Sequence, residues 1–67
     1  MSATIQISLK AARVNAGYTT EEVAEKIGKS RPTINKWENG TVKIDRANLY
    51  LLSEIYKISI DNIFLPY

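Results

Sequence analysis

A helix-ending signal and a helix-starting signal stand one residue apart in this sequence: Gly28 is followed by Lys29 and then by Ser30, with Pro32 two places further on. Glycine tolerates the left-handed conformation that closes a helix, and serine caps the next one. Proline is accommodated in a first turn, where its missing N–H has no helical partner to lose. The flanking segments therefore form two helices joined by a tight turn, a connection short enough to cross them steeply.

The same kind of punctuation divides the rest of the chain into short segments with apolar residues at helical spacing, and strand-like alternation is confined to Thr4 to Ser8. The spacing predicts an all-α chain of five helices in a single domain spanning residues 1–67. The first starts at Ser8 as N-cap, turns Leu9, Ala12, Arg13 and Ala16 to one side and stops at Gly17. The second opens on Thr19-Thr20-Glu21-Glu22, a capping box in which the Thr19 hydroxyl and the Glu22 carboxylate satisfy each other's backbone donors, and turns Val23, Ala24 and Ile27 inward. The third runs from the Ser30 cap to Asn39-Gly40. Thr41 to Ile44 reads as a polar loop carrying Lys43, after which Asp45 caps a fourth helix with a Leu49, Leu52, Tyr56 stripe. Past Lys57, a fifth short helix is expected from Ser59, burying Ile60, Ile63 and Phe64 and halted before Pro66.

The inventory narrows the chemistry. A chain of 67 residues hides only roughly 60% of the surface its unfolded form exposes, which leaves a thin core and no deep catalytic pocket. It has no His and no Cys, so the commonest general base, thiolate nucleophiles and the usual zinc ligands are missing. The expectation is a protein that is not an enzyme, holds no metal or cofactor and takes no small-molecule substrate. Its carboxylates Glu21, Glu22 and Glu25 suit the positive end of a helix and solvation rather than a catalytic site. Met1 to Gln6 has no charged leader, and the longest apolar run, Leu49 to Leu52, is far below the ~20 residues that cross a bilayer. A cytoplasmic location, with no membrane partner, is expected.

Charge is unevenly spread. Residues 26 to 46 carry six basic groups (Lys26, Lys29, Arg31, Lys36, Lys43, Arg46) against two acidic ones (Glu38, Asp45), while the remainder carries three basic against five acidic. A positive centre on an acidic body suits a polyanion met by one face, although an ordinary solvated surface has the same composition. The third helix sharpens this. At ~100° per residue, Ile34 and Trp37 project to one side, and Arg31, Pro32, Asn35 and Lys36 fall within a wedge of about 140° on the other. A helix fits the major groove of DNA, where the Arg fork matches guanine O6 and N7, an Asn amide matches adenine N6 and N7, and Lys donates to guanine or phosphate. Polar residues on an exposed amphipathic helix that serve only solubility give the same pattern.

The run from Thr19 to Gly40 resembles the helix-turn-helix of the Cro/CI (xenobiotic-response-element) family of phage and bacterial repressors. Ala24 in the second helix, Gly28 in the turn, the Ser30-Arg31-x-Thr33-Ile34 run and the Trp37-Glu38-Asn39-Gly40 close all fall in register, and the similarity extends from about Leu9 to Phe64. The resemblance implies a compact five-helix lambda-repressor-like DNA-binding domain whose helices two and three form the motif. It implies base contacts from Arg31, Pro32, Asn35 and Lys36, and phosphate contacts from Thr20, Thr33, Asn39, Thr41 and Lys43. Arg46 falls where some relatives place an Arg that reaches the groove and is grouped with the phosphate contacts, although a solvent-exposed first-turn residue fits the same place. An ion pair between Arg13 and Glu38, tying helix one to the end of helix three, is implied as well.

The chain departs from the family pattern at three places. Thr20 stands where many members have Gln, Trp37 replaces a common aliphatic residue, and Pro32 has no donor, so readout there is apolar, as against a thymine methyl. Two functions follow. One is a sequence-specific transcriptional regulator, a phage or bacterial repressor bound as a homodimer to a palindromic double-stranded operator. The other keeps the fold as a protein-interaction module, an antitoxin or accessory subunit; Arg31, Lys36 and Lys43 favour the first.

Overall fold

Four short helices stand between the caps that the residue types dictate, in a computed structural model that describes residues 5–65. Helix α1 (Leu9–Ala16) begins on the Ser8 hydroxyl, which accepts from the Ala11 N–H, and ends at Gly17. Helix α2 (Thr20–Ile27) opens with the full capping box between Thr19 and Glu22 and ends at Gly28. Helix α3 (Arg31–Asn39) is capped by Ser30 and closed by Gly40, and helix α4 (Arg46–Tyr56) is capped by Asp45.

The core forms from one face of each helix. Leu9 and Ala12 of α1, Val23 and Ala24 of α2, Ile34 and Trp37 of α3, and Leu49, Leu52 and Tyr56 of α4 are all buried and mutually packed. Ala16 and Ile27, expected inside, are half-buried at its margin. Ile44, which reads in sequence as part of a polar loop, joins the core instead and anchors the connection between α3 and α4. Val42 and Ile44 alternate with polar residues over too short a stretch to show that Ile44 alone is buried.

The fifth helix does not form. A three-residue 3₁₀ turn (Ile60–Asn62), capped by Ser59, leads into a strand, β2 (Ile63–Phe64), which pairs in parallel with β1 (Ile7–Ser8). Ile7 lies opposite Ile63 and Ser8 opposite Phe64, and the Gln6 side-chain amide adds a 3.1 Å bond to the Asp61 carbonyl. The spacing of Ile60, Ile63 and Phe64 is too short to separate helix from strand, and a strand partner for the backbone decides it in favour of β-branched Ile63. Side chains alternate along a strand, so Ile63 turns inward and Phe64 outward, at 54% exposure, instead of both being buried. The expected halt at Pro66 lies outside the described residues, as do Met1 to Thr4 and Tyr67.

Three of the four helices end on a glycine with positive φ, and α4 ends on Lys57 at φ 54°, ψ 47°. A side chain in that region is strained by its own Cβ, by about 1 kcal/mol relative to glycine. Lys57→Gly is therefore expected to raise stability by up to about 1 kcal/mol, a few degrees in thermal midpoint. The reverse change at Gly28, φ 71°, where an added Cβ meets no atom within 4 Å, should lower stability by a similar ~1 kcal/mol through conformation alone. Thermal melts of the two variants check both signs.

Candidate nucleic-acid interface

The crossing of α2 and α3 is set at the turn between them. The Gly28 N–H donates to the Ala24 and Glu25 carbonyls, the left-handed cap, and the Lys29 N–H returns to the Ala24 carbonyl at 2.9 Å. The chain then re-enters helix through Ser30, whose hydroxyl accepts from the Thr33 N–H at 3.4 Å and shares a 2.9 Å hydrogen bond with the Thr33 hydroxyl. With Ile34 and Trp37 only 1% and 4% exposed, α3 has one rotational setting about its axis. Its other side carries Arg31, Pro32, Asn35 and Lys36, all exposed to solvent.

The six residues implied in phosphate contact are less uniform. Asn39, Thr41, Lys43 and Arg46 are exposed, whereas Thr20 and Thr33 are half-buried. The Thr33 hydroxyl is already engaged with Ser30, so its remaining lone pairs and backbone define what it has to offer. The Arg46 guanidinium lies 5.9 Å from the centroid of the Tyr50 ring, a cation–π contact that biases its direction on α4. At the start of that helix the Asp45 carboxyl is held below its ordinary pKa, first by the hydrogen bond from the Asn48 amide, with Lys29 adding a favourable charge.

Arg13 and Glu38 meet beneath this surface. The Arg13 guanidinium donates from Nε to Glu38 Oε2 at 2.7 Å and from Nη2 to Oε1 at 3.3 Å, while Nη1 donates to the Tyr18 carbonyl at 2.9 Å. Their side chains are 11% and 7% exposed, and the hydrogen bond to Glu38 raises the Arg13 pKa against the opposing effect of burial. The fork joins α1 and the loop after it to the last turn of α3. Beside it lies a feature that sequence reading missed: the Tyr56 hydroxyl is buried with no hydrogen-bond partner among the described residues. Burial pushes its pKa well above the ordinary phenol value, the Glu38 charge pushes it further, and Arg13 opposes both. The Tyr56 ring packs 6.4 Å from that of Tyr18, which in turn carries Lys26 over its face at 5.4 Å.

A second contact was also absent from the sequence reading. Arg31 Nη1 lies 3.8 Å from Glu21 Oε2, across from the first turn of α3 to the first turn of α2, with both side chains largely exposed. No periodicity relates these two positions, because the pair depends on how the two helices cross.

A small helical protein with two helices crossed at a three-residue turn, the second held by two core residues and displaying basic and amide groups, is of the helix-turn-helix class. A helix-turn-helix family model matches residues 9–63. The chain belongs to this family, in its Cro/CI type, and is a DNA-binding helix-turn-helix domain. No curated protein matches the chain closely enough to count as a relative. No helix among the described residues is long and apolar enough to cross a membrane.

Removing one partner of a buried pair leaves an uncompensated charge, so Glu38→Gln or Arg13→Met alone should cost ~3 to 5 kcal/mol, while the double change to Met at both positions should recover much of it. Denaturant midpoints of the three variants decide this; equal losses in single and double variants would contradict it. Tyr56→Phe should be neutral or stabilising by about 1 kcal/mol at pH 7, since it removes a buried hydroxyl that lacks a partner. The folded-state phenol pKa is raised, so the contribution of neutral Tyr56 is intact below about pH 10 and lost as pH climbs beyond it. Tyr56→Phe should accordingly blunt alkaline unfolding, read by circular dichroism against pH.

Proposed function

We propose that this protein is a sequence-specific transcriptional regulator, a repressor of the phage or bacterial kind, that reads the major groove of double-stranded DNA with α3. One observation carries the reading: Ile34 and Trp37 are sunk in the core while Arg31, Pro32, Asn35 and Lys36 all stand in solvent on the opposite side of the same helix. In this reading the Arg31 fork addresses guanine O6 and N7, the Asn35 amide addresses adenine, Lys36 donates to guanine or phosphate, and Pro32 offers an apolar contact to a thymine methyl. Thr20, Thr33, Asn39, Thr41, Lys43 and Arg46 approach phosphates around it, fixing register and orientation without carrying sequence information.

A single nine-residue helix reaches only a few base pairs, so the reading includes a homodimer on a palindromic operator, with each copy on one half-site. It also takes the chain as one domain at work in the cytoplasm, with no cofactor. A protein-interaction module built on the same fold has no phosphate neutralisation to perform and predicts no dependence on duplex.

Salt separates the two. Each phosphate neutralised contributes about −0.9 to the slope of log K against log salt on duplex DNA, so several basic contacts give a steep line, whereas the protein-contact reading gives none. Within the DNA reading, Arg31→Ala should lose ~1 to 3 kcal/mol on a duplex obtained by selection from random sequence and relax the preference at one position, while Lys43→Ala should weaken all duplexes alike. Equal weakening of every duplex by both variants would remove Arg31 from base readout.

A further inference from the structure

The carboxylate that reaches Arg31 is Glu21; the first turn of α2 favours an acid at this position but does not require it to point toward α3. In the first turn of α2 it is Glu22 that completes the capping box, accepting from the Thr19 N–H at 2.8 Å. Glu21, one residue earlier, caps nothing. Its carboxylate instead extends toward Arg31 at the start of α3, Oε2 to Nη1 3.8 Å, with the two side chains 74% and 58% exposed. A pair this open to solvent and this long contributes little to stability. What it does alter is the charge that Arg31 presents. While the two are together, the leading cation of the recognition helix is offset by an anion on the same surface.

We infer that Glu21 is a specificity-determining residue: its carboxylate competes with DNA phosphate for Arg31 while leaving part of the Arg31 fork open to a neutral base edge. The inference rests on the DNA-reading function proposed above. Sequence-independent binding draws on counterion release as Lys and Arg neutralise phosphates. A phosphate oxygen offers Arg31 another anion in exchange for the one it already has, with little net gain. Guanine O6 and N7 are uncharged acceptors that occupy two of the five Arg donors, so Arg31 can hold the base edge while Glu21, 3.8 Å from Nη1, stays beside it without the repulsion that a phosphate brings. Glu21 therefore depresses binding to arbitrary duplex more than binding to a duplex that presents the matching guanine. Specificity is a difference between affinities, and an element that penalises the wrong partner raises it as surely as one that favours the right partner.

The test compares the wild-type chain with Glu21→Gln on two duplexes, one selected for tight binding and one of random sequence, across a salt series. Glu21→Gln is expected to tighten the random duplex several-fold and steepen its salt slope by about 0.9, as one more phosphate is neutralised, while the selected duplex changes less and the ratio between them falls. In an Arg31→Ala background, Glu21→Gln should move both duplexes by the same factor. An equal shift on both duplexes with Arg31 present, or no shift on either, overturns the role assigned to Glu21 while leaving DNA reading intact. Failure of the wild-type chain to bind any duplex overturns DNA reading itself, and the role of Glu21 with it. Circular dichroism of the variants, whose changed side chains are exposed, verifies that the fold is unaltered.

Discussion

Burial of Ile34 and Trp37 is the constraint on which the exposed cationic side of α3 depends. An isolated helix of nine residues has no stability of its own in water, because nucleation costs more than so few hydrogen bonds return. The segment is helical because two of its side chains complete the core, and it is oriented because those two lie one turn apart. Everything on its outer side inherits that orientation. Arg31, Pro32, Asn35 and Lys36 are close together in space only because the opposite side is held.

Three further contacts refine that setting. Ser30 ties the first turn of α3 to its own backbone, Arg13 clasps the last turn through Glu38, and Glu21 touches the outer side at Arg31. The Arg13–Glu38 bond, 2.7 Å long and largely withdrawn from water, and the cap at Ser30, within the backbone of α3 itself, belong to the frame. The third is long and wet, so it is able to exchange with a ligand. A rigid scaffold with one labile contact at its working face is the division that reading a charged polymer calls for.

Much of this was legible in the residues because helix ends are chemically marked. Ser8, Thr19, Ser30 and Asp45 cap the four helices, and Gly17, Gly28 and Gly40 close three of them, each where its residue type predicts. The inward stripes followed from spacing, and the outward face of α3 followed from the same geometry. What escaped depends on contacts between distant parts of the chain. Ile63 is extended beside Ile7, Ile44 joins the apolar cluster that all four helices build, and the Tyr56 hydroxyl is buried without a hydrogen-bond partner among the described residues. The Arg31–Glu21 contact belongs with these: it expresses the angle at which two helices cross, and no local pattern records an angle.

The short parallel ladder has an effect out of proportion to its length. Ser8 serves twice, as the partner of Phe64 across the ladder and as the cap of α1. Helix α1 bears Arg13, and Arg13 grips the end of α3. The segment after α4 is thus linked in series to the helix that faces outward, through one serine and one guanidinium. That series is a continuous route of contacts from Phe64 to the last turn of α3, and it runs through Ser8 and Arg13.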